Sequence, residues 1–207
     1  VRLGLRLGLF QLSLGILGVL ILGLLNRLLI TEIGISAALT ALAIGAQQLM
    51  GFTRAWFGNR SDRIPSGRLR RTPFIVMGSL AISLLFGLTG WVVLQLAKTM
   101  PLANQSFLGG WIGLLLLISI ATGAAIAAGG TAFSALIVDL TTEQERPRVL
   151  SVVWGMRLLG VLLGTVLVNQ IFGAACGTEA SGAAVVAGLE RLIVMTPLLL
   201  FGLGVSS

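Results

Sequence analysis

Residues 7–30 read LGLFQLSLGILGVLILGLLNRLLI, an apolar run broken by only a handful of polar side chains. A helix needs roughly 20 predominantly apolar residues to cross the hydrocarbon core of a bilayer, and this run is long enough. Working outward, five further stretches of the same kind follow at 37–57, 73–96, 108–138, 149–172 and 188–205. The apolar residues are continuous rather than alternating in period two, which argues for helices and against a β-barrel. Across 207 residues, 56% are hydrophobic, 10% are charged and the mean hydropathy is +1.02. One water-facing domain of this size cannot hide so much apolar side chain, so lipid must cover the remainder. The expectation is an all-α membrane protein: residues 1–207 as a single six-transmembrane-helix bundle. The fourth stretch is long for one crossing and is expected to tilt or to extend into water. The first is not expected to be a signal peptide, because its apolar part is too long and no small-residue cleavage site follows.

Charge then orients the bundle. The chain carries 14 Lys+Arg against 7 Asp+Glu, a formal net charge of +7. Arg2 and Arg6 precede the first span. Arg60, Arg63, Arg68, Arg70 and Arg71 crowd the joint after the second, and Arg146 and Arg148 lie between the fourth and fifth. The alternate joints hold few cations, namely Lys98 with Arg27 and Arg191 at flanking span ends. Cytoplasmic loops retain Lys and Arg, so the N-terminus, the basic loop and the C-terminus are expected in the cytoplasm. Anionic membrane lipids reinforce that preference. In this pattern the positive charge sets topology, and nucleic acid is not an expected partner.

The joints and the small residues add detail. Thr31–Ser36 is short enough for a tight antiparallel hairpin, whereas Gly58–Thr72 is an exposed basic loop. Pro147 stands where it can begin the fifth helix. Glycine is abundant, at 28 residues. Between helices in lipid, small residues permit close backbone approach, so Gly160 with Gly164 and Ala125 with Gly129 are expected packing pairs. Trp56, Trp111 and Trp154 fall near span ends, as in an interfacial aromatic belt; Trp91 lies deeper. Cys176 is the single cysteine, which excludes an intrachain disulfide, and histidine is absent. That absence removes the commonest metal ligand and general base.

The basic loop reads GNRSDRIPSGRLRR over residues 58–71. Gly58 permits close helix approach, Asp62 can accept charge-assisted bonds, and Arg63 can reach an acid such as Asp139 at a neighbouring helix end. Arg68, Arg70 and Arg71 can equally serve only to set topology and touch lipid phosphate. The pattern resembles the signature loop of the major facilitator superfamily: glycine, three residues, Asp-Arg, then glycine and a basic pair. It also occupies that loop's place, between the second and third of six helices. It departs by extra residues between Arg63 and Gly67 and again before Arg70. The resemblance implies a charge lock on the cytoplasmic side made of Gly58, Asp62, Arg63, Gly67, Arg68, Arg70, Arg71 and Asp139.

Two further segments narrow it. GLLNRLLITE at 23–32 and QQLMGFTRAW at 47–56 look like the PucC/LhaA group of that superfamily. These proteins of phototrophic bacteria assist light-harvesting complex assembly and are proposed to deliver (bacterio)chlorophyll. The similarity covers the whole chain and is strongest from Leu7 to Pro73. Group members have twelve spans, so this chain is expected to match the N-terminal six-helix half. The resemblance implies residence in a bacterial inner, photosynthetic or thylakoid membrane. It also implies chlorophyll or bacteriochlorophyll as cofactor or cargo, and partners among antenna, photosystem or chlorophyll-synthesis proteins.

Polar groups inside a bilayer are costly and usually face a bundle interior or a cavity. Arg157 lies about nine residues into its span and must snorkel or pair with a carboxylate, for which Asp139 is a candidate. Arg27 and Glu32 are placed to pair with Glu190 and Arg191 across the outer ends of the first and last spans. Asn26, Gln47 and Gln48 are the candidate pigment- or ligand-facing residues. With no histidine, these amides, a Glu paired with an Arg, a backbone carbonyl or a water are the available axial donors to magnesium. All seven acids lie in joints or near span ends, so no midplane protonation switch is present in these spans. No nucleophile–base pair, metal-ligand cluster or phosphate loop is found, and enzymatic chemistry is not expected. Three functions remain open: a pigment-handling assembly factor, a secondary transporter of a small molecule, and a pigment-free structural subunit.

Overall fold

Each long apolar stretch becomes a helix because hydrocarbon offers the backbone no hydrogen-bond partner, leaving the intrahelical ladder as the way to satisfy N–H and C=O groups. In the computed structural model, residues 2–62, 72–99, 105–172 and 202 are described, and every element among the described residues is helical. Helix α1 runs Arg2–Gly18 and continues through two π-helical stretches, Val19–Leu25 and Leu28–Glu32. The others are α2 (Ala37–Leu49), α3 (Thr53–Asp62), α4 (Thr72–Thr99), α5 (Gln105–Leu140) and α6 (Arg146–Phe172). Four helical segments are long and apolar enough to cross a membrane: Gly4–Thr31, Pro73–Lys98, Gly109–Leu140 and Arg146–Gln170. The chain is thus an integral membrane protein. The stretch at 188–205, expected as a sixth span, lies outside the described residues apart from Gly202.

The second apolar stretch departs from expectation. In place of one continuous helix over 37–57, α2 stops at Leu49 and a 3-10 turn, Met50–Phe52, leads into α3. Gly51 at the centre of that turn is a poor helix former, and the Thr53 hydroxyl donates to the Met50 carbonyl at 2.6 Å. The fourth stretch, in contrast, is one uninterrupted helix of 36 residues, about 54 Å long at 1.5 Å per residue.

The joints have local causes. The α1–α2 connection is tight because Gly34 adopts φ 75°, a left-handed conformation that closes the helix. Ile35 N–H then donates back to the Leu29 carbonyl at 2.9 Å, and Ser36 caps α2 by accepting from Leu39 N–H. Before α6, the Glu145 carboxylate accepts from both the N–H and the hydroxyl of Thr142, a capping-box arrangement. Pro147 occupies the first turn of α6, as expected.

Packing is organised by glycine. Helices α1 and α6 lie side by side: a Cβ on Gly15 would strike the Arg157 carbonyl oxygen, one on Gly160 the Leu12 carbonyl oxygen. Gly164 sits against Ile16 and Val19 in the same seam. Helices α4 and α5 approach where a Cβ on Gly78 would lie 2.9 Å from Gly129 Cα. Helix α2 meets α5 where Gly123 lies against the Gln47 backbone. The expected packing roles of Gly160, Gly164 and Gly129 are therefore what the structure contains. Between these seams, Phe10 of α1 lies 5.0 Å centroid to centroid from Phe133 of α5, both rings buried. Trp91 and Trp111 meet edge to face at 5.8 Å and join α4 to α5.

Candidate functional site

A cleft of about 480 Å³ opens among α1, the α2–α3 break, α5 and α6. Each wall follows from the packing just described. Because α2 stops at Leu49, the turn and the start of α3 bring Gly51 and Arg54 to the cleft beside Gln47 and Gln48. The first π-helical stretch of α1 and the residue before it contribute Ile21, Leu22 and Gly18. Such π-turns inside helices frequently accompany functional sites. Helix α5 supplies Gly130, Thr131 and Ser134, and α6 supplies Trp154 and Arg157. The Thr131 and Ser134 hydroxyls donate to Ala127 and Gly130 carbonyls one turn back, which leaves their lone pairs as what they can offer a ligand.

Arg157 is one of the two cations that line this cleft. Its Nη1 donates to Gln11 Oε1 of α1 at 3.3 Å, and its guanidinium carbon lies 5.4 Å from the Trp154 ring centroid. The side chain is half-buried. The expected carboxylate partner is replaced here by a neutral amide and an aromatic face, which orient the cation without neutralising it. Asp139, its expected partner, lies exposed in the last turn of α5. Trp154 lines the cleft and is also exposed over more than half of its surface.

Two of the three amides singled out from sequence, Gln47 and Gln48, stand on the cleft wall; Asn26 is exposed between the π-helical stretches of α1 and is not among the lining residues. Amide oxygens are hard donors of the kind magnesium accepts, so the two glutamines fit a magnesium-bearing pigment. Three lining glycines, Gly18, Gly51 and Gly130, have open space where a Cβ would stand, which leaves smooth backbone walls. Among the described residues that line the cleft there are two arginines and no carboxylate. Gln11, Arg54 and Trp154 are the site residues that sequence reading missed. The available signal was Gln11 itself, a lone amide in an apolar run, whose tendency is to face a cavity.

The charge-lock residues divide differently. Gly58 lies in α3 against α5, where a Cβ would meet the Thr131 methyl at 3.3 Å, so close approach at this glycine is real. Asp62 is the last residue of α3. Arg63, Gly67, Arg68, Arg70 and Arg71 lie outside the described residues, as do Glu190 and Arg191. Arg27 is exposed, and its carbonyl accepts from the Thr31 hydroxyl at 2.7 Å.

Comparison with known proteins fits this architecture. The chain is 32% identical over 170 residues to the "Uncharacterized protein in puhA-bchM intergenic region" of Rhodobacter capsulatus, covering 81% of this chain and 35% of that protein. It is 32% identical over 168 residues to "Protein PucC" of Rhodovulum sulfidophilum, covering 79% and 36% respectively. A third relative, the "Bacteriochlorophyll synthase 44.5 kDa chain" of Rhodobacter capsulatus, is 29% identical over 167 residues, covering 78% and 35%. The chain thus spans about a third of the length of these curated relatives. No solved structure gives a significant match. The PUCC protein family profile matches residues 24–201, which includes α2 through α6 and their walls of the cleft, and the chain belongs to the PucC family of membrane proteins.

Proposed function

We propose that this protein handles (bacterio)chlorophyll within the bilayer and so assists assembly of light-harvesting or photosystem complexes. What carries the reading is a PucC-family chain with a cleft of ligand size walled by three membrane-length helices and the α2–α3 break. One relative is named for bacteriochlorophyll synthase, which supports a pigment context. Gln47 and Gln48 are the residues that would hold the pigment's magnesium, and the open walls at Gly18, Gly51 and Gly130 would accept its ring. The pigment, when bound, supplies the light-absorbing macrocycle; the protein's role is to receive, orient and pass it on without chemical change. In this reading the helices form one half of a major facilitator-like scaffold. Its basic loop, N-terminus and C-terminus face the cytoplasm. Antenna, photosystem or chlorophyll-synthesis proteins act as its partners in a photosynthetic membrane.

The test is direct. Protein gently solubilised from pigment-producing cells is expected to carry a red chlorophyll absorption band at a fixed pigment-to-protein ratio through size exclusion. Protein that is colourless after the same treatment, and that takes up no added pigment, contradicts the reading.

A further inference from the structure

The cleft contains a feature that pigment handling alone does not require, a cation held ready for an anion. A buried or half-buried guanidinium in hydrocarbon is costly unless it is paired. Here Gln11 takes one of the five N–H donors of Arg157 and Trp154 covers one face. Arg54 adds a second positive charge to the same cleft, and no carboxylate lines it among the described residues. A planar guanidinium with donors to spare matches a carboxylate in two-pronged fashion. Beside it, the walls at Gly18, Gly51 and Gly130 and the Trp154 ring suit a flat apolar body.

We propose that the cleft selects a flat apolar molecule carrying a free carboxylate, with that carboxylate seated on Arg157. Resting on the pigment reading above, the ligand class becomes the free-acid pigment, the macrocycle without its long-chain ester. Arg157 discriminates because esterification removes the anion and leaves the cation without its partner. Gln11 is a positioning residue: its amide fixes the guanidinium so that the remaining donors face the cleft.

The experiment titrates the purified protein in detergent with chlorophyllide and, separately, with the methyl ester of the same ring, subtracting partition into protein-free micelles. The wild-type protein is expected to bind the free acid about tenfold or more tightly than the ester. R157Q is expected to lose that preference while still binding the ester, since the backbone of Arg157 and not its side chain forms the crossing with Gly15. Equal binding of acid and ester by the wild type overturns this inference and leaves the pigment reading standing; it needs no variant to be read. Binding of neither form overturns the pigment reading and this inference with it. Palmitate binding as tightly as chlorophyllide, in an Arg157-dependent manner, overturns the requirement for a flat ring.

Discussion

Helices α1 and α6 are nearly equal in apolar strength and opposite in placement. Both carry apolar segments of membrane length, yet 61% of the apolar heart of α1 is buried against 17% for α6. Helix α1 is wedged between α6 and α5, with Phe10, Leu17, Leu20 and Leu29 almost wholly enclosed. Helix α6 touches α1 through Gly160 and Gly164 and leaves Leu158, Leu162 and Leu163 on the outer surface, where hydrocarbon suits them. The difference teaches that hydropathy marks membrane length but not centrality. In lipid, an apolar side chain gains little by moving from hydrocarbon to protein, so close packing decides which helix lies inside.

That contrast can be broken most severely at the seam itself. Gly160→Leu drives a side chain into the Leu12 backbone, which cannot move aside as a flexible side chain can. The expected cost exceeds about 3 kcal/mol, read as loss of folded protein on heating in detergent. Gly155→Leu, where a Cβ meets open space, is the matched control on the same helix and is expected to leave stability unchanged. Next in size is Phe10→Ala, which empties the core beside Phe133. It is expected to cost about 3 kcal/mol, the low end for a buried phenylalanine, because hydrocarbon rather than water is the alternative surrounding. Smallest is Leu162→Ala on the outer face of α6, expected within about 0.5 kcal/mol of the wild type. A ranking in which Leu162→Ala costs as much as Phe10→Ala would contradict the burial contrast between the two helices.

Much of the fold was legible in sequence for the same physical reason that makes it stable. The membrane-length runs announce themselves because hydrocarbon demands them, and the small-residue pairs Ala125/Gly129 on α5 and Gly160/Gly164 on α6 announce close helix contact. Pro147 fixed the start of α6 to within a residue. The break at Met50–Phe52 was hidden, since a glycine inside an apolar run is ordinary in membrane helices. The π-helical turns of α1 were hidden too, as nothing in their apolar composition signals a change of hydrogen-bond register. The site was half legible. Gln47 and Gln48 stood out as amides in an apolar setting and do line the cleft. Gln11 carried the same signal and was passed over; what the sequence hid is its partner, since Arg157 is 146 residues away and reaches it through the α1–α6 seam. Asn26 resembled the glutamines in sequence, yet it is exposed and stands off the cleft wall.

The central claim is that the cleft among α1, α2–α3, α5 and α6 is where the pigment sits. Gly130 lines that cleft and has open space before it, so a large side chain there fills the cleft without disturbing a helix seam. The most direct measurement is the pigment-to-protein ratio of Gly130→Trp, purified alongside the wild type and Gly155→Trp from pigment-producing cells. The account predicts bound pigment in the wild type and in Gly155→Trp and its loss from a still-folded Gly130→Trp. Wild-type pigment content in Gly130→Trp would contradict it.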